Sequence, residues 1–223
     1  MFTVTATFTQ LVLNPRHRDV ADDLANCDRM HQRTTGLCCP GEFGPGSRQA
    51  AGVLYRVEQG RAGTVVLVQS LTDPDFTRLP PGYAVNSTRD LSALLDNLER
   101  GTLVRYRIAA NPTRREPSAD TGRGKVRGLR GNGALTWWQR RADEYGLDIE
   151  SATISREEIL KGVRQRGSQP LTMAHVLVQF DGTAVVRDPG AAREAILAGI
   201  GRAKSYGCGL LSVAPIKNRL TGG

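Results

Sequence analysis

The stretch AGVLYRVEQGRAGTVVLVQSL, residues 51–71, contains two apolar runs separated by glycines. Both runs are rich in valine and of strand length, and the second carries the valines of VVLV. Short apolar runs of β-branched residues that flank a glycine are typical of paired strands. We therefore predict a hairpin that turns around Gly60.

The segments on either side of this hairpin extend it to a complete motif. Residues 2–9 alternate apolar residues with threonine, which predicts a strand. The next segment predicts one helix with His31 near its C-terminus, because one helical face carries Val20, Leu24, Cys27 and His31. After the hairpin, LSALLDNLER predicts a second helix and TLVRYRIAA a further strand. The resulting order, β-α-β-β-α-β, is ferredoxin-like.

The second half repeats this order. A helix is predicted over ALTWWQRRADEYGL, and a hairpin that turns at Asp181 and Gly182 is predicted from HVLVQF and TAVVRD. A second helix follows over GAAREAILA, and the last strand is GLLSVAP. The tetrapeptide Val-Leu-Val-Gln occurs at 66–69 and again at 176–179. We therefore predict an α+β protein of two tandem ferredoxin-like (RRM-like) βαββαβ domains, residues 1–99 and 100–223. The strand at Thr102 leaves this boundary open, because it fits either sheet.

The charge of the chain predicts a polyanionic partner. The formal net charge is +8, and half of it lies in residues 113–134, which contain five glycines. That segment is either a solvated loop or a basic arm that follows a phosphate backbone, with Lys125, Arg127 and Arg130 as its candidate contacts. An acidic membrane is a poorer partner, because no basic amphipathic helix with large apolar residues is evident.

The cysteines and the N-terminus predict a cytoplasmic protein. None of the four cysteines forms a C-x-x-C pair, and the three histidines lack zinc spacing, so no metal site and no cofactor are expected. The first ten residues have no basic segment ahead of an apolar one, and the longest apolar runs are too short to cross a membrane.

Four glycines fall within the eleven residues GIGRAKSYGCG, 199–209. The order of glycines and lysine fits neither a P-loop nor a dinucleotide fingerprint. Glycines can instead expose successive amides as an anion-binding concavity, and a tight helix-to-strand connection needs fewer of them. The candidate anion ligands are Gly199, Gly201, Arg202, Lys204 and Gly207.

The C-terminal segment GIGRAKSYGCGLLSVAP resembles the CasE-type CRISPR-associated endoribonucleases, which process crRNA in type I-E Cascade. Further matches follow in the family's order along the whole chain: LVLNPRHRD, MHQ, VLVQS, VRYRIAANPTRR and WWQRRADEYGL. The resemblance implies two RRM-like domains and metal-independent cleavage of CRISPR repeat RNA at the base of its stem-loop. It also implies that the enzyme stays bound to the crRNA 3′ stem-loop beside other Cascade subunits.

The resemblance assigns catalysis to His31, which corresponds to the family's histidine. Imidazole suits proton transfer near neutral pH, and a helix C-terminus would favour the imidazolium form and an acid role. The family carries a tyrosine three residues earlier, where this chain has Asp28. Asp28 is the second candidate catalytic residue: it could orient or charge the imidazole, act as a base, or pair with Arg29 or Arg33. Lys204 and Arg33 are the next candidates for the tyrosine's role.

The resemblance also distributes the RNA contacts. Arg33 is expected at the scissile phosphate, and Lys161, Arg164 and Arg166, on a predicted hairpin, are expected at the RNA stem. A-form RNA favours recognition through phosphates and shape. A hairpin-binding subunit that does not cut is the alternative, and Asp28 favours it. A generic RRM-type binder would need aromatic central strands, and these are mostly aliphatic.

Overall fold

A computed structural model of the chain describes residues 6–39, 46–60, 63–117, 124–166 and 169–216. These ranges form two four-stranded antiparallel sheets and one two-stranded ribbon. Each sheet has its own buried apolar core. The predicted pair of ferredoxin-like domains is confirmed. Within the described ranges, no helix is both long and apolar enough to cross a bilayer.

The first sheet has the strand order β2-β3-β1-β4, with all neighbours antiparallel. The first strand therefore lies between the third and the fourth, as the ferredoxin-like motif requires. A single 3₁₀ turn, Phe76–Arg78, lies where the motif's second helix is expected. The elements of this part are β1 (Thr7–Leu13), α1 (Arg18–Ala25), α2 (Cys27–Cys38), α3 (Ser47–Ala50), β2 (Leu54–Gly60), β3 (Gly63–Ser70) and β4 (Ala84–Asp90).

The second sheet has the order β10-β5-β9-β8, which is the same arrangement. The strand after Thr102 therefore opens the second sheet and does not close the first. Both Val-Leu-Val-Gln copies lie in the third strand of their sheet. The elements are α4 (Ser92–Asp96), β5 (Leu103–Ala110), β6 (Thr113–Glu116), β7 (Lys125–Gly128), α5 (Gly131–Glu144), β8 (Leu147–Arg166), β9 (Gln169–Val186), α6 (Pro189–Ala198) and β10 (Leu211–Pro215).

The two sheets separate between Asp90 and Leu103. The predicted boundary at residues 99 and 100 falls in this interval and stays a prediction. The short helix α4 lies there too, and Leu95 and Leu98 are buried in the core of the second domain. The connection is thus packed against the second domain rather than extended as a free linker.

The predicted hairpin turn at Asp181 and Gly182 is wrong, because β9 runs straight through both residues. Gly182 is needed here for a close approach between strands. A Cβ at this position would lie 1.9 Å from the backbone oxygen of Ser151, where a bulge between Ile149 and Ser151 shifts the register of β8. The true hairpin joins β8 to β9, with Arg166 opposite Gln169.

The single helix predicted through His31 is two helices that meet at Asn26. The backbone of Asn26 is extended, and its side-chain oxygen accepts from the Asp28 amide at 3.0 Å. This is an N-cap, so a new helix begins at Cys27. His31 is the fifth of the twelve residues of α2 and lies nearer the N-terminus. The expectation that a helix C-terminus stabilises its imidazolium form is therefore wrong.

Two buried polar side chains hold the domains together. Arg56 of β2, only 2% exposed, donates to the carbonyl of Arg107 at 3.2 Å and to that of Leu210 at 3.0 Å. Gln69 of β3 donates to the carbonyl of Ile196 at 2.8 Å. Buried donors and acceptors that pair across an interface fix its geometry, because losing one partner leaves the other unsatisfied.

Candidate active site

His31 lies on the face of α2 that is turned toward the second domain. Its Nδ1 is hydrogen-bonded to the hydroxyl of Thr35 at 3.1 Å, one helical turn further along. Among the described residues no group is hydrogen-bonded to Nε2. The hydrogen bond with Thr35 fixes the imidazole ring. The ring of Tyr206 packs against it in a T-shaped arrangement, at a centroid distance of 6.0 Å.

The surroundings of His31 favour the neutral imidazole. Burial lowers its pKa below the usual 6.5, and the positive charges of Arg164 and Arg48 lower it as well, whereas the Asp28 carboxylate raises it. The net direction is downward. An imidazole that is neutral at pH 7 can accept a proton, so the structure favours a base role over the acid role expected from the sequence.

Asp28 is a buried ionic anchor, with a side chain only 2% exposed. One carboxylate oxygen accepts from Nε of Arg164 at 2.9 Å, and the other accepts from Gln32 at 2.9 Å. The partner of Asp28 is thus Arg164 of the second domain and neither Arg29 nor Arg33. With both oxygens occupied, Asp28 acts on His31 through its charge.

Tyr206 completes a cluster with His31, Asp28 and Arg164, and it was not among the residues predicted from the sequence. Its hydroxyl accepts a hydrogen bond from Nη2 of Arg164 at 3.1 Å, and its ring stacks on His175 at a centroid distance of 4.9 Å. Tyr206 follows Lys204 in the glycine-rich stretch, which was the one available signal. Its contact with His31 spans 175 residues of sequence, and no local pattern reports such a distance.

A basic groove of about 470 Å³ opens beside Tyr206. Two segments of the second domain form one wall: the ribbon residues Val126 and Gly128, and β9 at His175. The cations that line it are Arg48, Arg202 and Lys204. A groove with one sign of charge concentrates oppositely charged ligands, so this one fits a phosphate chain that passes Tyr206.

The fold itself accounts for the glycines of residues 199–209. All four have positive φ, and a Cβ at Gly199 or Gly207 would meet Leu54 or Tyr55 of the first domain at 2.8–3.0 Å. The amides of Gly199 and Gly209 donate to the carbonyls of Ala195 and Ala109. These glycines let the loop pack between the domains, and the anion-binding role of Gly199, Gly201 and Gly207 stays a prediction.

Arg33 is not brought to this cluster. Its Nε pairs with the buried carboxylate of Asp23 at 2.7 Å, and its guanidinium lies over the ring of Tyr83. These interactions hold Arg33 within the first domain, and its contact with the scissile phosphate stays a prediction. Lys204 is also engaged, because its Nζ donates to the carbonyl of Ala198 at 2.8 Å. The two next candidates for the tyrosine's role are therefore both held by the protein.

The remaining predicted RNA ligands lie on two hairpins of the second domain. Lys125 and Arg127 are exposed on β7, where Arg127 pairs with Glu116, and Arg130 is exposed just before α5. The described part of this segment forms the β6–β7 ribbon, whose exposed cations keep the basic-arm alternative as a prediction, while residues 118–123 lie outside the described residues. Lys161 is exposed on β8; Arg166 ends that strand, and its side chain lies outside the described atoms.

We expect Asp28→Asn to shift the acidic limb of the cleavage rate profile to lower pH. Asp28 raises the pKa of His31, so its removal leaves burial and the charges of Arg164 and Arg48 to lower that pKa further. Single-turnover rates across the pH range measure the shift. Asp22→Asn, on the exposed surface of α1, removes a carboxylate outside the cluster and serves as the control. An unmoved limb, or one that moves to higher pH, would contradict this assignment.

The described residues contain no group of three or more His, Cys, Asp or Glu side chains placed to hold a metal ion. The chemistry of the cluster is that of a buried imidazole, an ion pair, a phenol and a cationic groove.

Comparisons with known proteins show which family the chain resembles. A family model described as "CRISPR associated protein" matches residues 8–215. The CRISPR-associated endoribonuclease Cse3 of Thermus thermophilus is 34% identical over 93% of this chain and 99% of its own length. The CRISPR system Cascade subunit CasE of Escherichia coli is 27% identical over 73% of this chain and 81% of its own.

A solved structure of Thermus thermophilus Cse3, bound to an RNA that represents a pre-cleavage complex, matches the fold with a TM-score of 0.78. The two chains are 31% identical, and the match covers 95% of this chain and all of the other. The sequence match and the structural match both span nearly the whole chain, so this protein belongs to the family of CRISPR-associated proteins that includes the Cse3 endoribonuclease.

Proposed function

We propose that this protein is the endoribonuclease that cleaves CRISPR repeat RNA at the base of its stem-loop to produce mature crRNA. The observation that carries the proposal is the position of His31. Its imidazole lies against Tyr206, which lines a basic groove, in a chain that matches a CRISPR-associated endoribonuclease along nearly its whole length. The RNA-bound state of the Thermus thermophilus relative gives further support.

The reaction that fits this site uses the RNA's own 2′-hydroxyl as the nucleophile. Nε2 of His31 takes the proton from that hydroxyl, the 2′-oxygen bonds to phosphorus, and the bond from phosphorus to the 5′-oxygen breaks. Water in the open groove supplies the proton to the leaving oxygen. The products are a 2′,3′-cyclic phosphate and a 5′-hydroxyl. Positive charge in the groove stabilises the doubly charged phosphorane.

The long β8–β9 hairpin supports retention of the product. It extends from the sheet with Lys161 exposed near its end, and such a projecting basic hairpin suits the phosphates of an A-form stem. Retention of the 3′ stem-loop would make the enzyme a resident subunit of Cascade, as the name of the Escherichia coli relative indicates for that protein. We place the protein in the cytoplasm, and its four unpaired, buried cysteines are consistent with this.

The test is cleavage of the labelled repeat RNA from the host's own CRISPR array in excess EDTA. We expect undiminished cleavage, product ends of the two kinds given above, and co-migration of the 3′ product with the protein on a native gel. Loss of cleavage in EDTA with recovery on adding Mg²⁺ would replace this mechanism with a metal-dependent one. Tight binding of the RNA with no cleavage in either condition would instead establish a non-cleaving hairpin-binding subunit.

A further inference from the structure

The hydroxyl of Tyr206 does not use its proton in the bond to Arg164. Its oxygen accepts from Nη2 of Arg164, and a guanidinium offers donors only, so the phenolic proton takes no part in that bond. Among the described residues no acceptor for this proton is found. Tyr206 lines the basic groove, and a phosphate oxygen is the acceptor that this groove would bring to it.

The tyrosine is also held in a fixed position. Its ring stacks on His175 with an interplanar angle of 15° and lies against His31 on another side. The short 3₁₀ turn that carries it, Lys204–Tyr206, is bounded by Ala203 at φ 55° and Gly207 at φ 80°, both left-handed. A donor held this way needs no rearrangement when charge develops nearby, and preorganised donors of this kind are the most effective in stabilising transition states.

Arg164 both positions the Tyr206 hydroxyl and makes it a stronger hydrogen-bond donor. Its guanidinium is fixed by the buried Asp28 carboxylate and places positive charge on the phenol oxygen. Hydrogen bonds assisted by a charged group are shorter and stronger than neutral ones. Burial raises the pKa of Tyr206, so the phenol keeps its proton near neutral pH and acts as a donor rather than a base.

We propose that Tyr206 is a catalytic residue whose hydroxyl donates a hydrogen bond to a non-bridging oxygen of the scissile phosphate, with Arg164 and Asp28 as its positioning residues. This inference rests on the proposed ribonuclease function. It assigns stabilisation of the phosphorane to the second domain, whereas His31 of the first domain handles the proton. The reaction would then require both domains at one phosphate.

The test compares Tyr206→Phe with the wild-type chain on repeat RNA that carries sulfur at one non-bridging position of the scissile phosphate. Phenylalanine keeps the ring that stacks on His175 and removes only the hydroxyl. We expect Tyr206→Phe to bind the hairpin normally and to cut the unmodified RNA about 10²-fold more slowly, the loss typical of one such donor. Tyr145→Phe, at the end of α5 and away from the cluster, is the matched control.

The sulfur substitution separates a direct contact from a structural effect. Wild-type cleavage should be slowed by one phosphorothioate isomer much more than by the other, because sulfur accepts a hydrogen bond poorly. Tyr206→Phe should lose that difference between isomers. A normal rate in Tyr206→Phe, or a slower rate with the isomer difference intact, would overturn the inference while leaving the ribonuclease function standing. No cleavage by the wild-type chain would overturn both.

Discussion

Replacing the ribose on the 5′ side of the scissile phosphate by 2′-deoxyribose is expected to abolish cleavage. The reason is that the proposed reaction has no nucleophile once this hydroxyl is absent, and no side chain of the cluster is placed to act in its stead. Binding of the hairpin should persist, since the charged groove and the β8–β9 hairpin are expected to recognise phosphates and the shape of the stem. The measurement is a single-turnover assay together with a native gel.

The control for this experiment is the same deoxy substitution one nucleotide further in the 3′ direction. That RNA should be cut at the normal rate, because its attacking hydroxyl is intact. Undiminished cleavage of the first RNA would mean that water attacks the phosphate. His31 would then activate water rather than the ribose, and the product ends would change to match.

His31→Ala should slow single-turnover cleavage by about 10²–10⁴-fold, the usual contribution of one general acid or base. Hairpin affinity should stay close to wild type, because His31 is neutral at pH 7 and supplies no charge to the groove. The measurement pairs cleavage rates at saturating enzyme with binding titrations. A large loss of cleavage with intact binding would exclude the alternative of a subunit that only binds the hairpin.

His17→Asn provides the matched control for this substitution. His17 caps α1 by accepting from the Asp19 amide, and asparagine is among the preferred residues at such a cap. The variant thus removes a histidine outside the cluster and keeps the helix end intact. Equal cleavage by His31→Ala and wild type would mean that the imidazole is a structural group and that the base lies elsewhere.

The domain architecture could be read from the sequence because it depends on local periodicity. Each copy of Val-Leu-Val-Gln lies in the third strand of its sheet. The helix LSALLDNLER and the strand after Thr102, which the prediction counted in the first motif, pack in the second domain. Strand β4 was not predicted, because all but one of its residues are exposed and its sequence does not alternate between apolar and polar residues. The long strand β8 has two register shifts that break its period of two.

The site was predictable only in part, because it depends on contacts between distant residues. His31 and Asp28 could be selected within one helix, and Lys204 within one glycine-rich stretch. The pair of Asp28 with Arg164 joins residues 136 positions apart, and the stacking of His175 on Tyr206 joins strand β9 to the 3₁₀ turn Lys204–Tyr206. The lowered pKa of His31 follows from burial in the assembled site, which a helical pattern alone does not reveal.

The pairing of Asp28 with Arg164 has a consequence for the protein as it leaves the ribosome. A nascent chain that has passed α2 already carries His31, but Arg164 and Tyr206 emerge much later. The cluster can assemble only when the last strands of the second sheet are made. On the proposed mechanism, newly synthesised first domains lack the Tyr206 donor while translation continues, and full-rate cleavage begins only when the two halves have docked.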